Sequence, residues 1–431
     1  MSLLTIDRDL ARDSYYAATA PRMQTHAPLA GDHTADVAVV GGGLAGLSAA
    51  LELAERGMKV TLLEARQMGW GASGRNGGQA IHGLAMDQED IETELGAQDA
   101  RTIWAMSLEA LALIQARRQQ HRIDCDWQDG WLAVATSAGK ARKLLQWTER
   151  MNRVYDAGFT PIEAAALPGW IASPRYHAGA FDAHSGHMHP LKYALGLARA
   201  AQAAGVTLHE DSPVTALTQG ETITLTTSQG SVRARQVLLA GNVYLGGVAP
   251  QLEARIMPVG TYIVCSEPVD PAQMAALIPN RAAVCDTDFV LDYFRPTADH
   301  RMLFGGRVSY STRTPGDVAG AMRQRMVATF PQLAQVGIAH AWGGFVDITM
   351  SRAPDFGRLG GNLYYLQGFS GHGLALTGLA GKLVAEAIDG DASRFDVFTR
   401  FAHRPFPGGR LLRTPALVLG MAWYRLRDML G

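Results

Sequence analysis

The feature that most constrains this chain is the run Gly41-Gly42-Gly43-Leu44-Ala45-Gly46, which fits Gly-x-Gly-x-x-Gly. It follows an apolar β-run, Asp36-Val37-Ala38-Val39-Val40, and opens a segment with helical spacing of Leu44, Leu47, Leu51 and Ala54. Gly57 stops that helix, and a second apolar strand from Lys59 to Leu63 ends in Glu64. Strand, glycine turn, helix and strand make a complete βαβ unit of about thirty residues, apolar throughout as a parallel sheet requires. The first glycine permits the tight turn, Gly43 lets a pyrophosphate approach the backbone, and Gly46 lets helix and strand pack closely. The helix N-terminus, from Leu44 and Ala45, offers free N–H groups to phosphates. Glu64, with Ala65 after it, is placed to accept hydrogen bonds from a ribose diol. The unit is read as a dinucleotide site.

The next stretch of chain decides which dinucleotide binds. Gly69-Trp70-Gly71-Ala72-Ser73-Gly74-Arg75-Asn76-Gly77-Gly78-Gln79 is dense in glycine directly after the ribose acid. That suits backbone passing close to a bulky planar ligand and points to FAD rather than NAD. Ala72, Ser73, Arg75, Asn76, Gly77, Gly78 and Gln79 are therefore expected to bind cofactor. Near the other end, Tyr364-Tyr365-Leu366-Gln367 feeds Gly368-Phe369-Ser370-Gly371-His372-Gly373 and a helix from Leu374 to Ile388. A strand that turns on glycine into a helix aims that helix's N-terminus at the ligand above it. Reduced flavin carries negative charge, which such a terminus favours. Gly368, Ser370, Gly371, His372 and Gly373 join the cofactor set, and His372 either adds a hydrogen bond or holds the turn.

Between these segments the pattern changes. Ile91 to Gln120 reads as helix, Trp131 to Ala135 as strand, and Ala141 to Ala157 and Leu191 to Ala204 as helices. Ile223 to Thr227 and Val232 to Ala234 read as paired strands, and Val237 to Gly241 as a buried one. From Arg255 to Asp347 apolar and polar residues alternate, as in Tyr262-Ile263-Val264-Cys265-Ser266, which predicts an antiparallel sheet. The fold expected is α/β, with a Rossmann-type FAD-binding domain interleaved with an antiparallel-sheet substrate domain. Residues 1–90, 165–250 and 352–400 are assigned to the first, 91–164 and 251–351 to the second, and 401–431 to a helical tail.

Composition excludes several roles. With 39 Lys and Arg against 40 Asp and Glu the net charge is −1, so neither nucleic acid nor an anionic membrane gains general attraction. Cys125, Cys265 and Cys285 form no CxxC pair and no zinc spacing, so no metal and no structural disulfide is expected, and the cytoplasm is the expected compartment. The apolar stretch 415–424, flanked by Arg410, Arg413, Arg425 and Arg427, is too short to span a bilayer and reads as a packed terminal helix.

The Gly41 to Glu64 unit, the Ala72 to Gly78 loop and the Gly368 to Gly373 turn together resemble the D-amino-acid oxidase/glycine oxidase/sarcosine oxidase family of FAD-dependent oxidoreductases. Ser14-Tyr15-Tyr16-Ala17-Ala18-Thr19-Ala20 and the segment from Phe406-Pro407-Gly408-Gly409-Arg410 to Arg427-Asp428 resemble its γ-glutamylputrescine oxidase branch. The resemblance implies FAD at the interface of two domains, Val214 offering backbone to adenine, and the Gly241-Asn242 turn lining the cofactor pocket. It implies oxidation of the C–N bond of a small amine, γ-glutamylputrescine or a related γ-glutamyl or amino-acid amine, giving aldehyde, ammonia and hydrogen peroxide. The partners implied are that amine and dioxygen. A dehydrogenase passing electrons to a quinone or protein acceptor is the alternative.

The chain departs from sarcosine oxidases in two places. Ala375 stands where they hold the substrate carboxylate with lysine, and no lysine lies between Lys192 and Lys382 to promote reaction with dioxygen. His300, Arg301 and Arg307 are the positional substitutes. No cysteine falls near Asp347, where that group attaches its flavin, so FAD is expected to be non-covalent. Tyr262, Phe289, Tyr293, Phe294, Trp342 and Phe345 are candidate aromatic walls of the substrate site. His372, Tyr262 and Trp342 are the catalytic candidates, and Arg75, Arg352 and Arg358 the candidate carboxylate clamps.

Overall fold

Two short helices, α1 (Leu3–Leu10) and α2 (Tyr15–Thr19), precede the glycine-rich unit, which folds as β1 (Gly31–Val40), α3 (Leu44–Glu55) and β2 (Val60–Leu63). The computed structural model describes residues 3–10, 13–288, 291–306 and 316–407. After β2 the chain runs through β3 (Gln79–Ala80), α4 (Gln88–Leu95), α5 (Ala97–Gln120), β4 (Gln128–Ala135), α6 (Ala138–Tyr155), β5 (Thr160–Ile162) and β6 (Ala178–His187). Next come α7 (Pro190–Ala203), β7 (Thr207–His209), β8 (Ala216–Thr218), β9 (Ile223–Thr226), β10 (Gly230–Leu239) and α8 (Pro250–Glu253). The central segment holds β11 (Met257–Ser266), α9 (Pro271–Leu277), β12 (Ala283–Asp286), β13 (Tyr293–Pro296), β14 (Met302–Gly306), α10 (Val318–Thr329) and β15 (Ile338–Ile348). The described chain closes with β16 (Asp355–Arg358), β17 (Leu363–Gln367), α11 (Gly373–Asp389) and α12 (Phe395–Phe398).

The strands form two sheets. The first has the order β16-β17-β10-β1-β2-β7, with the β8–β9 hairpin attached to β10. Its β17, β10, β1, β2 and β7 run parallel, as continuous apolar runs with helices for crossovers dictate. Leu47 and Leu51 of α3, Ile103 and Leu111 of α5, Leu197 of α7 and Leu379 and Leu383 of α11 share one core on its face. α3 and α11 meet so closely that Ser48 Oγ donates to the carbonyl of Gly378 at 2.5 Å. The second sheet has the order β15-β11-β14-β13-β12-β4-β6-β3, with β5 on β6.

The structure departs from the sequence reading in four respects. Gly96, at φ 85°, splits the helix expected over 91–120 into α4 and α5. Both pack with α3 and α11 on the first sheet, although 91–164 was assigned to the substrate domain. β3 and β6 pair within the second sheet, although 1–90 and 165–250 were assigned to the FAD domain. That sheet is antiparallel except between β12 and β4, which run parallel. The tail from 408 onward lies outside the described residues.

Candidate active site

Both glycine turns open into one cavity of about 770 Å³ between the two sheets. α3 starts at Gly43 and α11 at His372, and neither helix has a side-chain cap. The N-terminal ends of two long helices therefore face the same space, two sites of partial positive charge for one ligand. Gly41, Gly43, Leu44 and Ala45 line the first end. Gly46 does not line it: a Cβ there would overlap the carbonyl oxygen of Gly41, so this glycine serves helix–strand packing. Ser73 Oγ accepts from Leu44 N–H at 2.9 Å, locking the second glycine loop over the start of α3.

Glu64 lies half-buried beside this turn, its Oε2 accepting from Gly42 N–H at 2.6 Å and its Oε1 from Arg66 N–H at 2.9 Å. Burial pushes its carboxyl up, while those backbone donors oppose the shift. Each oxygen keeps a lone pair, so the carboxylate can still take a ribose hydroxyl. Ala65, Val214, Gly241 and Asn242 line the same cavity.

The Ala72 to Gln79 loop forms the roof. Ala72, Ser73, Arg75, Asn76, Gly77 and Gln79 line the cavity. Gly78 does not: its φ of 76° and the carbonyl of Met188 beside it leave no place for a side chain. Asn76 bonds its own loop, donating to Ala72 and Ser73 carbonyls and accepting from Gly78 N–H. Arg295 supports the loop from behind, its Nε donating to Gly77 O at 2.7 Å and its Nη2 to Met188 O at 2.9 Å. The sequence reading missed Arg295, although a charged residue in the apolar run of β13 is a signal of buried polar work.

The second turn is held by Asp347, the last polar residue of β15. Its Oδ2 accepts from Gly368 N–H at 2.5 Å and Phe369 N–H at 3.4 Å, and its carbonyl from Ser370 N–H at 3.0 Å. Burial pushes this carboxyl up to about 6 against those donors. Ser370, Gly371, His372 and Gly373 line the cavity, and Gly368 does not. His372 Nε2 donates to the carbonyl of His82 at 2.6 Å, and burial lowers its imidazole to about 4. A neutral ring with Nε2–H so committed presents Nδ1 as an acceptor only. It holds the turn and cannot act as a cation at neutral pH.

Alternation along the second sheet sorts the aromatic candidates. Tyr293 and Phe345 line the cavity, and the Tyr293 ring fills the space left by Gly77 and Gly305. Tyr262 and Phe294 point to the opposite face, into a core with Phe304, Phe330 and also Phe345, which borders the cavity while sharing the face of Tyr262. Trp342 lies under α2 with Tyr16, Ile263 and Leu303, its Nε1 donating to Arg75 O at 2.9 Å. Tyr262 and Trp342 thus have no access to the ligand, which removes them as catalytic groups. Phe289 lies outside the described residues.

Among the arginines, Arg75 and Arg352 line the cavity. Arg358 does not: it pairs with Asp396 at 2.9 Å on the surface. His300 sits on the β13–β14 turn and Arg301 pairs with Asp299 at 2.7 Å, neither at the cavity, while Arg307 lies outside the described residues. Cys285 does reach the cavity, donating to Gln79 Oε1 at 3.0 Å, and burial holds its thiol at about 12. Asp7 of α1 and Tyr244, neither singled out from sequence, meet at this wall. Among the described residues no group of three or more acidic, histidine or cysteine side chains can hold a metal ion. No helix among them is long and apolar enough to cross a membrane.

The glycine cradle, paired helix termini and ribose-side acid fit FAD. A family model described as DAO, FAD dependent oxidoreductase, matches residues 36–387. The chain is 43% identical over 419 residues to gamma-glutamylputrescine oxidoreductase of Escherichia coli (strain K12), covering 97% of this chain and 98% of that one. It is 37% identical over 424 residues to the probable oxidoreductase OrdL of Haemophilus influenzae (strain ATCC 51907 / DSM 11121 / KW20 / Rd), covering 96% and 97%. Among solved structures, glycine oxidase from Geobacillus kaustophilus matches with a TM-score of 0.73 at 21% identity, over 86% of this chain and 100% of that one. The chain belongs to the DAO family of FAD-dependent oxidoreductases.

Proposed function

We propose that the chain oxidises the C–N bond of a small primary amine, γ-glutamylputrescine or a related γ-glutamyl amine. The observation that carries this reading is the 43% identity to gamma-glutamylputrescine oxidoreductase over nearly the full length of both chains. The cavity is compatible with it, since two arginines stand in a space otherwise walled by glycines, Tyr293, Phe345 and aliphatic groups.

FAD, held by the two glycine turns, would supply the acceptor for a hydride from the carbon bearing nitrogen. The protein's part is to bring that carbon to the ring with the nitrogen neutral. A site lined by Tyr293, Phe345, Ile348 and Leu291 makes an ammonium costly and favours loss of its proton before hydride leaves. No side chain is required as base, which agrees with a His372 already committed to His82. Loss of hydride leaves an iminium, and water adds to it to give aldehyde and ammonium. Two electrons and two protons then convert dioxygen to hydrogen peroxide. Asp347 and the start of α11 stabilise negative charge differently: the helix terminus favours it, the buried carboxyl opposes it. Three unpaired thiols suit a reducing compartment, and we place the enzyme in the cytoplasm with non-covalent FAD.

The test is anaerobic titration of the yellow protein with γ-glutamylputrescine, putrescine, glycine and sarcosine, followed by air. The γ-glutamyl amine is expected to bleach the flavin at the lowest concentration and air to yield one peroxide per bleached flavin. Bleaching without peroxide overturns the oxidase half and leaves a dehydrogenase with a quinone or protein acceptor. No bleaching by any amine overturns the reading.

A further inference from the structure

We infer that Tyr16, together with Trp342 and Arg295, is a positioning residue for the flavin ring. The three side chains hold three consecutive carbonyls of the second glycine loop from behind, and so turn the N–H groups of Asn76 and Gly77 into the cavity. This role is independent of which amine is oxidised. Trp342 Nε1 donates to Arg75 O at 2.9 Å, the Tyr16 hydroxyl to Asn76 O at 2.9 Å, and Arg295 Nε to Gly77 O at 2.7 Å. All three side chains are buried and none lines the cavity, whereas Asn76 and Gly77 both line it.

In a trans peptide the C=O of one residue and the N–H of the next point in opposite directions. No cis bond occurs among the described residues. A carbonyl drawn to a donor behind the loop therefore sends the following N–H toward the cavity. The three held carbonyls place the N–H groups of Asn76, Gly77 and Gly78 on that side. Asn76 Oδ1 takes the last of them at 2.8 Å. Among the described residues no acceptor takes the other two. Successive amides that face one way make a donor surface for electron-rich atoms, and reduced flavin is such a ligand. Gly77 fixes the place: a Cβ there would stand 2.6 Å from the Tyr293 ring, so the donors lie where the loop meets the second sheet.

Tyr16 is the member of the trio that precedes residue 36, where the match to the family model begins. Its ring centroid lies 4.7 Å from that of His189 and 5.3 Å from that of Trp342. Its hydroxyl accepts from Arg295 Nη2 at 3.1 Å while donating to Asn76 O. A cation on the accepting side polarises the hydroxyl and strengthens the bond it donates. Tyr15 points elsewhere, its hydroxyl donating to Asp299 Oδ1 at 2.7 Å. That neighbour ties α2 down without touching the loop.

The holoenzyme tests this without any amine. Tyr16→Phe keeps the ring packing and removes only the hydroxyl, and Tyr15→Phe controls for loosening of α2. FAD release on dilution is followed by flavin fluorescence, and the midpoint potential by dye-coupled reduction. Tyr16→Phe is expected to release FAD about fivefold faster, the ratio that one net hydrogen bond carries. Its potential is expected to shift negative, because the reduced ring loses a well-aimed donor. Tyr15→Phe is expected to match the parent in both. Trp342→Phe, which frees the adjacent carbonyl, is expected to repeat the Tyr16→Phe result and decides the matter should Tyr16→Phe fail to fold. Parental release and potential in a folded Tyr16→Phe or Trp342→Phe overturn the inference. So does an equal effect in Tyr15→Phe, which assigns the change to the seating of α2. Faster release at an unchanged potential overturns it too, since the amides would then serve another part of FAD. The expected shifts in a protein that oxidises no amine would defeat the proposed function and leave this role standing.

Discussion

Asp347 and His372 stand at the two ends of one turn and respond to protons in opposite ways. Asp347 titrates at about 6 in the fold against an ordinary 3.8, so between those values the folded chain holds a proton that the unfolded chain releases. Its contribution therefore falls as pH rises from 3.8 to 6 and levels off above, a cost of about 3 kcal/mol for this shift. Asp347→Asn removes that cost. Compared by thermal unfolding of the FAD-free chain, variant minus parent stability is expected to move by about 2 kcal/mol in the variant's favour from pH 4 to pH 7, most of the full effect. A flat difference would show that Asp347 is not held protonated. His372, lowered to about 4, is uncharged near neutral pH, and its stabilising effect is lost as pH falls from 6.5 toward 4. His372→Gln can still donate to His82 O, so the pH profile of flavin reduction is expected to keep its shape; disappearance of a pKa near 7 would make His372 an acid–base group. At this scale the sequence disclosed the glycines, because each has one backbone or packing reason at a fixed spacing. It did not disclose which face Tyr262 or Trp342 takes, since a slip of one residue along a strand reverses the choice.

Two helices set the distance between the ends of the cofactor site. Both α3 and α11 begin at the cavity, and they touch where a Cβ on Gly381 would stand 2.5 Å from Ser48 Cβ. Gly381→Val forces them apart, and overpacking of this kind costs about 1–3 kcal/mol. It is expected to lower the flavin-to-protein absorbance ratio as well as the melting temperature; a drop in melting temperature with full flavin content would mean the crossing does not set the site. The βαβ unit and the strand–turn–helix around Gly371 were legible because period and punctuation agree over many residues. β6 was not: Ala178-Gly179-Ala180-Phe181-Asp182-Ala183-His184-Ser185-Gly186-His187 is rich in small and polar residues, and only its neighbours β4, β3 and β5 make it a strand. α5 was recognised as a helix yet placed with the wrong sheet, because a helix's apolar stripe does not say what it packs against.

At the scale of the molecule, the cavity that fits FAD is lined by residues from both sheets, so FAD would bind only the complete fold. A ligand at a hundred times its dissociation constant adds about 2.7 kcal/mol to the bound state. Calorimetry with added FAD is expected to raise a single transition for both sheets together; a shift confined to one of two transitions would mean that the second sheet contributes little to binding. The interleaving of the two sheets was visible in the sequence as nucleotide motifs at both ends with alternation between them, while the seams were not, since β3 and β6 cross from one sheet's stretch of chain to the other. The N-terminal cover of the second sheet carries a further consequence. Tyr15 and Tyr16 of α2 sit on Ile263, Leu303 and Trp342, and Asp13 reaches His340 across 327 positions of chain. A ribosome delivers that segment more than three hundred residues before Trp342, and its seat does not exist until translation has passed that point. The segment must therefore wait to dock, and the wall behind Arg75 stays bare until then.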